Sequence, residues 1–266
     1  MSESSFESVI SQIISDSPSG EIKQVYDDLV AIAGQDSRET ILDAIEQYNI
    51  ENLIPVDVEG ESVIISKYNK EGSKFFDPNK SKSFSVDHLS RKGFDVQPYQ
   101  STRLSLTQLD LFKSLQEYAE RTFPGELTAA IYPIPEENDK FVIITVSTKY
   151  NPSNFWNGHW KSQYICSTST NDIVGSIDVQ VHYYEDGNVS FKSNKEYKVN
   201  DVTDAVKAIE EIEKKFEEDL DTSFSELNER QFKTLRRRLP ITRSRVNWGK
   251  AIGNYRLGKD AAQGKS

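Results

Sequence analysis

Residues 177–191 read IDVQVHYYEDGNVSF, and this stretch decides the class of the fold. Apolar or aromatic side chains recur in it at every second position: Ile177, Val179, Val181 and Tyr183. A period of two is typical of a β-strand with one buried face. Asp186-Gly187 follows and favours the positive-φ residues of a tight turn. The stretch therefore predicts a hairpin of strands Ile173–Tyr184 and Val189–Val199 within an antiparallel sheet.

Five earlier segments of the chain extend this β-rich region. They are predicted strands at Ser62–Tyr68, Lys82–Val86, Leu127–Ile134, Phe141–Thr148 and Lys161–Ser167. Between the second and third of them, Leu106–Thr122 is predicted to be a helix. Successive hairpins indicate an antiparallel sheet whose one face is polar enough to meet water or to receive a helix.

The first fifty residues are predicted to form three short helices. Apolar residues recur at helical spacing in three groups, and breaks at Ser17-Pro18-Ser19-Gly20 and at Gly34 separate the groups. The apolar residues are Phe6, Val9, Ile10, Ile13 and Ile14; Ile22, Val25, Tyr26, Leu29 and Val30; and Ile41, Leu42, Ile45 and Tyr48. Short connections between such helices favour a small antiparallel bundle.

A long amphipathic helix is predicted from about Asp204 to Arg238, where Pro240 ends it. Its length leaves two possibilities, a helix that crosses a wide sheet or one that kinks near Asp221-Thr222-Ser223, whereas a coiled coil is less favoured because four clean heptads do not fit. The predicted fold is α+β: an N-terminal helical bundle, a central antiparallel sheet crossed by the long C-terminal helix, and a basic amphipathic tail. The predicted domain boundaries are 1–52, 53–105, 106–240 and 241–266.

Charge is divided unevenly along the chain. The whole sequence has a net charge of -10, yet residues 230–266 contain 11 basic residues and one acid, so that the first 229 residues carry -20. An acidic body with a basic tail predicts that the tail meets a negative surface. The acidic, amphipathic N-terminus and the single Cys166 predict a cytoplasmic protein.

We recognise no catalytic, nucleotide-binding or metal-binding motif in the sequence. Nucleotide-binding glycine patterns and the nucleophile elbow are absent, and His88, His159 and His182 lack the spacing of metal ligands. Cys166 is interpreted as an ordinary strand residue rather than a nucleophile, and His182 as a hydrogen-bonded packing residue rather than a base. The sequence therefore predicts a protein that is not an enzyme and needs no cofactor.

Two segments are more distinctive than the rest of the sequence: NFWNGHWKS at 154–162 and VHYYEDGNV at 181–189. They resemble segments typical of the F-actin capping protein alpha subunit. Further segments agree in the family's order: AIEQYN at 44–49, FDP at 76–78, VDHL at 86–89 and FKTLRRRLPITR at 232–243. We interpret the tryptophan segment as an aromatic turn on the sheet, with Trp156 and Trp160 deeply buried and Gly158 permitting a bend.

The resemblance implies an obligate heterodimer with a capping protein beta subunit of similar fold, the two sheets joining side by side. Such pairing would remove the exposed edge that a strand as long as Ile173–Tyr184 is expected to leave. The implied function is to bind the fast-growing barbed end of an actin filament and to block the addition and loss of subunits.

Basic residues near the C-terminus are the implied actin-binding site. The family's contacts map onto Lys233, Arg237 and Arg243, and Arg236 and Arg238 are further candidates. One or two of these could merely complement a helix dipole, but five within eleven residues exceed that need.

The following segment is amphipathic, with Trp248, Ile252 and Tyr255 on one face of a predicted helix. It departs from the family in carrying Gly249, Gly253 and Gly258, which weaken a helix. Anionic phosphoinositides and capping regulators are implied as competitors for the basic patch. A nucleic-acid-binding protein remains a rival, although the acidic body and the lack of stacking aromatics disfavour it.

Overall fold

The computed structural model of the chain describes residues 3–99, 104–122, 127–134, 137, 139–184 and 189–226. The chain divides into two compact units, Met1–Ile209 and Glu210–Ser266. The first unit contains three helices at its N-terminus, two β-sheets, and the helix that lies between those sheets in the sequence. The described chain is thus a mixed α+β protein, as the sequence predicts.

The three predicted N-terminal helices are confirmed. They are α1 (Glu3–Asp16), α2 (Ile22–Ala33) and α3 (Arg38–Glu51), and the 3-10 turn Gln35–Ser37 joins the last two. Their apolar stripes form one buried cluster, which consists of Ile10, Ile14, Ile22, Tyr26, Leu29, Ile41, Ile45, Tyr48 and Ile54. The helices hold together because each presents one apolar face to this common core.

A six-stranded sheet follows, in the strand order β2-β1-β6-β5-β4-β3. Its strands are β1 (Pro55–Val58), β2 (Glu61–Ile64), β3 (Lys70–Glu71), β4 (Lys74–Asp77), β5 (Lys82–Asp87) and β6 (Lys92–Pro98). The sequence predicted only β2 and β5. The other four strands have two to seven residues and lack a sustained apolar alternation, so local patterns did not reveal them.

The second sheet has five strands in the order β11-β10-β9-β8-β7, each antiparallel to its neighbours. The strands are β7 (Leu127–Pro133), β8 (Lys140–Asn151), β9 (Trp156–Ser167), β10 (Ile173–Tyr183) and β11 (Val189–Val199), and α4 (Leu106–Thr122) precedes them with the predicted bounds. The predicted hairpin is confirmed, because Tyr183 pairs with Val189. The turn predicted at Asp186-Gly187 lies outside the described residues.

The small sheet packs against one face of the five-stranded sheet. Leu53, Ile64 and Tyr68 share a buried cluster with residues of β7 and β8, namely Ala130, Tyr132, Val142, Ile144 and Val146. Residues 141–146 of β8 are buried on both of their faces. Continuous burial is expected for a strand in the middle of a sheet that is covered on both sides.

Helix α5 (Ala205–Glu226) begins in the first unit and continues into the second. The helix runs without interruption through Asp221-Thr222-Ser223, where two hydroxyl groups donate to the carbonyl oxygens of Glu218 and Asp219. The remainder of the predicted helix, residues 227–238, lies outside the described residues. The crossing of the sheet by this helix therefore stays a prediction, as do the predicted domain boundaries.

Candidate assembly edge

All of the residues that the sequence predicts to bind actin lie outside the described residues. They are Lys233, Arg236, Arg237, Arg238, Arg243, Trp248, Ile252 and Tyr255. Their roles remain predictions, and the candidate site that the structure itself describes is a different one.

That site is the outer edge of the five-stranded sheet, formed by β11. All eleven residues of the strand pair in continuous register with β10, and the strand contains no proline. In an antiparallel edge strand, every second residue directs its N–H and C=O groups away from the sheet. The edge therefore offers a row of hydrogen-bonding groups about 36 Å long, at about 3.3 Å per residue.

Not one of the eleven residues of β11 is buried. Val189 is 49% exposed, while Phe191, Tyr197 and Val199 are half-buried. The alternate positions on the other face are exposed and mainly polar or charged, and they include Lys192 and Lys198. Among the described residues, no strand pairs with the outer side of β11, and the strand also has partly exposed apolar side chains; both features are typical of an interaction surface.

The opposite edge, β7, is built differently. Ala130, Ile131 and Tyr132 in its centre are buried in succession. Helix α4 packs against the strand, and the Ser62 hydroxyl of β2 lies 2.8 Å from that of Thr128. The chain itself therefore covers this edge.

The exposed edge is not the one that the sequence predicts. Ile173–Tyr184 was expected to be the exposed strand, but β10 is flanked by β9 on one side and β11 on the other. The order of strands is a tertiary property, so the alternation within a strand could not show which strand is outermost.

The tryptophan segment also differs from its prediction. Residues 156–162 are the first half of β9 rather than a turn, and Trp156 and Trp160 are only half-buried. Gly158 lies within the strand, and a Cβ atom added there would approach no atom closer than 3.6 Å. The strand does not bend at Gly158, which pairs in regular register with Val181 and Lys149, and the buried residues are Asn157 and His159 on the alternate face.

His159 is held by a chain of hydrogen bonds. Its Nε2 atom donates to the carbonyl oxygen of Asn52 at 3.1 Å, so Nδ1 accepts from the Ser19 hydroxyl at 3.2 Å. Tyr150 in turn donates to Ser19 at 3.0 Å. Burial, with the nearby Lys161 charge, lowers the pKa of His159 to about 3, and the ring is therefore neutral at physiological pH.

A second buried contact ends on Glu21, the residue before α2. Its Oε1 atom accepts from Nδ1 of His182 at 2.6 Å and from Nδ2 of Asn157 at 2.9 Å. The His182 ring also stacks on Tyr184, with ring centroids 5.2 Å apart. The prediction that His182 is a hydrogen-bonded packing residue is confirmed. The role of Glu21 was missed because the preceding Ser-Pro-Ser-Gly was interpreted only as a break between helices.

The family model described as the F-actin capping protein alpha subunit matches residues 10–260 of the chain. The alpha subunit of Saccharomyces cerevisiae is 59% identical over 100% of both chains, and that of Candida glabrata is 58% identical over 98% of both. The chain belongs to the F-actin capping protein alpha subunit family. The resemblance given by segments 154–162 and 181–189 is thereby confirmed.

A solved relative supports the capping protein fold. The structure of the homodimeric actin capping protein alpha subunit from Plasmodium berghei superposes with a TM-score of 0.72. It is 23% identical in sequence, and the match covers 90% of this chain and 98% of that one. At this level of identity the likeness concerns the arrangement of the backbone alone.

The described residues of this capping protein family member include few groups suited to nucleophilic attack or metal binding. Cys166 is buried, and burial raises the pKa of its thiol to about 12, which agrees with the prediction of an ordinary strand residue. No group of three or more potential metal ligands occurs among the described residues. None of the described helices is long and apolar enough to cross a membrane.

Proposed function

We propose that the chain is the alpha subunit of a heterodimeric, cytoplasmic capping protein that binds the barbed ends of actin filaments and blocks subunit exchange there. The observation that carries the assembly step is the open edge of β11. The partner is a related beta subunit, whose own sheet edge continues the ladder. The function requires binding alone and no catalysis.

The open edge favours an obligate partner for a physical reason. An uncovered edge strand recruits other strands indiscriminately, and a strand of eleven residues is about twice the usual length. Lys192, Lys195 and Lys198 discourage unselective pairing, yet they leave the row of backbone groups available. A partner sheet with complementary side chains would satisfy those groups selectively.

The helical bundle supplies a second argument for a partner. Val9 and Ile13 lie one turn apart on α1 and are 48% and 43% exposed. Two apolar side chains on one face of an otherwise polar helical surface suit a protein contact better than water. The beta subunit is the proposed occupant of this face also.

Actin binding is assigned to the basic residues Lys233, Arg236, Arg237 and Arg243. Actin is acidic, so complementary charge would accelerate the encounter and set the orientation of the bound protein. Trp248, Ile252 and Tyr255 are proposed to follow by burying their apolar face against the filament end. Anionic phosphoinositides and capping regulators would compete for the basic residues.

The test is to coexpress the full chain with a beta subunit and to measure filament elongation from barbed ends. We expect a one-to-one heterodimer that stops elongation, whereas reversal of Lys233, Arg237 and Arg243 to acids should slow capping and weaken its salt dependence without dissociating the heterodimer. Equal salt dependence in both proteins would contradict the role of these charges.

A truncation separates the tail from the basic patch. Deletion of residues 247–266 should accelerate dissociation from filament ends about tenfold to a hundredfold, while association changes little. Capped filaments that resume growth equally slowly with either protein would contradict the proposed role of Trp248, Ile252 and Tyr255. A gel shift on random DNA at near-physiological salt tests the nucleic-acid rival, and we expect no binding.

A further inference from the structure

The turn between β5 and β6, residues 88–91, contacts the helical bundle through two neighbouring residues. Leu89 packs against the buried apolar cluster of the bundle. The backbone carbonyl oxygen of His88 accepts from Nδ2 of Asn49 on α3 at 2.8 Å. The His88 ring stands edge-on to Phe75 of β4, with ring centroids 5.8 Å apart, and the side chain is only 12% exposed. A titratable ring is therefore enclosed where α3 meets the small sheet.

Two polar atoms in this contact are buried and have no hydrogen-bond partner among the described residues. They are Nδ1 of His88 and Oδ1 of Asn49. Asn49 is fully buried, and its hydrogen bond to the His88 carbonyl places the amide beside the histidine. The amide oxygen can only accept a hydrogen bond, and leaving a buried acceptor without a donor costs free energy. A proton on Nδ1 of His88 would supply that donor.

The charged groups that face the ring come from three elements. On α3, Oε2 of Glu46 lies 3.8 Å from Nε2 of His88. The other oxygen of Glu46, Oε1, lies 2.8 Å from the ammonium nitrogen of Lys70 on β3. Asp87 ends β5, and its Oδ1 atom accepts from two backbone N–H groups of the turn at 3.1 and 3.2 Å. Glu46 therefore holds one cation and lies next to a ring that can become a second.

The ring is uncharged at neutral pH. Burial lowers the pKa of His88 below its ordinary 6.5, and this effect exceeds those of the neighbouring charges. Among these charges, Glu46 and Asp87 raise the pKa and Lys70 lowers it. A neutral imidazole has one N–H group, whereas an imidazolium has two and can donate on both sides. Protonation thus gives Asn49 a donor and gives Glu46 a second positive partner.

We propose that His88 is a proton-binding site that exchanges the ion-pair partner of Glu46. When the ring takes a proton from solvent, Nδ1 donates to Oδ1 of Asn49 and Nε2 donates to the carboxylate of Glu46. Lys70 then leaves that carboxylate for water. The exchange goes beyond the proposed capping function and does not depend on it.

Only the side chain of Lys70 needs to move in this exchange. Lys70 is exposed and lies on β3, the outermost strand of the small sheet. The preceding Asn69 is fully buried, and its Nδ2 atom donates to the carbonyl oxygens of Ile64 and Phe76 at 3.1 and 2.9 Å. The backbone beside Lys70 is therefore held in place. Acidification releases one cation at the surface of the small sheet and leaves the arrangement of the helices unchanged.

The test follows the His88 ring by NMR in the full-length chain within its purified assembly. The chain has three histidines, so His88→Gln, His159→Gln and His182→Gln assign their ring signals. We expect both ring nitrogens of His88 to be protonated in a single titration step whose midpoint lies below pH 6.5. Glu46→Gln should lower this midpoint by at least about 0.5 pH units, and Lys70→Gln should raise it by a similar amount.

Lys67→Gln is the matched control for the loss of a lysine. Lys67 is an exposed cation in the same segment as Lys70, but its ammonium group lies over the ring of Tyr68, 5.0 Å from the centroid. It should leave the midpoint within about 0.1 pH units of the parent value, because an exposed charge without a contact to the site is screened by solvent. An equal rise in Lys67→Gln and Lys70→Gln would overturn the proposal.

The release of Lys70 has its own measurement. Nitrogen-15 relaxation of the Lys70 ammonium group should show greater mobility as the pH falls through the His88 midpoint. In His88→Gln the mobility should not change with pH, and in Glu46→Gln it should be high throughout. Unchanged mobility of Lys70 across the parent's titration would overturn the exchange.

A His88 ring that stays neutral until the protein unfolds in acid would overturn the proposal as well. If Glu46→Gln or His88→Gln does not fold, Lys70→Gln decides by the direction in which it moves the midpoint, because Lys70 is exposed and its replacement leaves the buried contact intact. These measurements need no actin, so their outcome is independent of capping.

Discussion

The two edges of the five-stranded sheet differ in what the chain supplies to cover them. At β7 the chain provides α4 and β2, and residues 130–132 are buried in succession. At β11 none of the eleven residues is fully buried, although the strand is four residues longer. Described elements of the chain cover one edge, whereas no described strand pairs with the outer side of the other. A sheet can therefore serve as a core at one side and as an interface at the other.

The largest expected effect is at the covered edge. Ile131 of β7 is fully buried, so Ile131→Ala should lower the free energy of unfolding by about 2–5 kcal/mol through lost burial and a residual cavity. Leu106→Ala is the control, because Leu106 is 82% exposed and its loss should cost less than about 0.5 kcal/mol. Chemical denaturation measures both values, and equal shifts of the two midpoints would show that β7 is not covered.

A substitution at the outer edge should weaken association with the partner and leave folding unaffected. Val189→Asp places a charge on a side chain that is 49% exposed in the single chain and that we expect the partner to bury. The dissociation constant between the subunits should rise about tenfold to a hundredfold, which corresponds to about 1–3 kcal/mol. Titration of labelled subunits measures it, and an unchanged constant would place the interface elsewhere.

The interior strand β9 contains His159, which should make the stability of the protein depend on pH. The pKa of His159 is about 3 in the folded chain and near its ordinary 6.5 when unfolded, so the unfolded state binds the additional proton between those values. Stability should therefore fall as the pH drops below about 6.5, by at most about 1.4 kcal/mol per pH unit from this group. His159→Gln should give a shallower decline, and identical slopes would contradict the neutral, buried ring.

The smallest effect is expected from the edge lysines. Replacing Lys192 and Lys198 together by glutamine should lower the soluble fraction of the singly expressed chain about twofold, because charge on an edge discourages unselective strand pairing. Lys23 and Lys113, which are exposed on helices, form the matched control pair. Light scattering distinguishes the pairs, and an equal loss of solubility would assign the effect to net charge alone.

These contrasts also show which features the sequence could predict. The period of two in residues 177–183 and the helical spacing in 106–122 are local, and both elements occur where the patterns place them. The identity of the outer strand depends on strand order, which no single strand encodes. The polarity of the residues also did not reveal which side of β9 is buried. Asn157 and His159 are buried and form hydrogen bonds to Glu21 and Asn52, whereas the two tryptophans are only half-buried.

The candidate site was only partly within reach of sequence analysis. The resemblance to the capping protein family predicts a role for the basic residues around Arg237, which stays a prediction, and the membership in the family is confirmed. Glu21 could not be found in this way, because its partners His182 and Asn157 are 161 and 136 residues away in the sequence. Contacts of such separation are set by the packing of the bundle, the small sheet and the five-stranded sheet together.

Amide hydrogen exchange at single-residue resolution, carried out on the assembled protein, tests most directly whether β11 is an assembly edge. In an edge strand, alternate amides point away from the sheet and exchange rapidly unless another strand pairs with them. We expect both alternate sets of β11 amides to exchange within about tenfold of those of the interior strand β9, because the partner completes the ladder. If one of the two sets in β11 instead exchanges at the rate of an unprotected chain, the edge is open in the assembly and β11 is not the assembly edge.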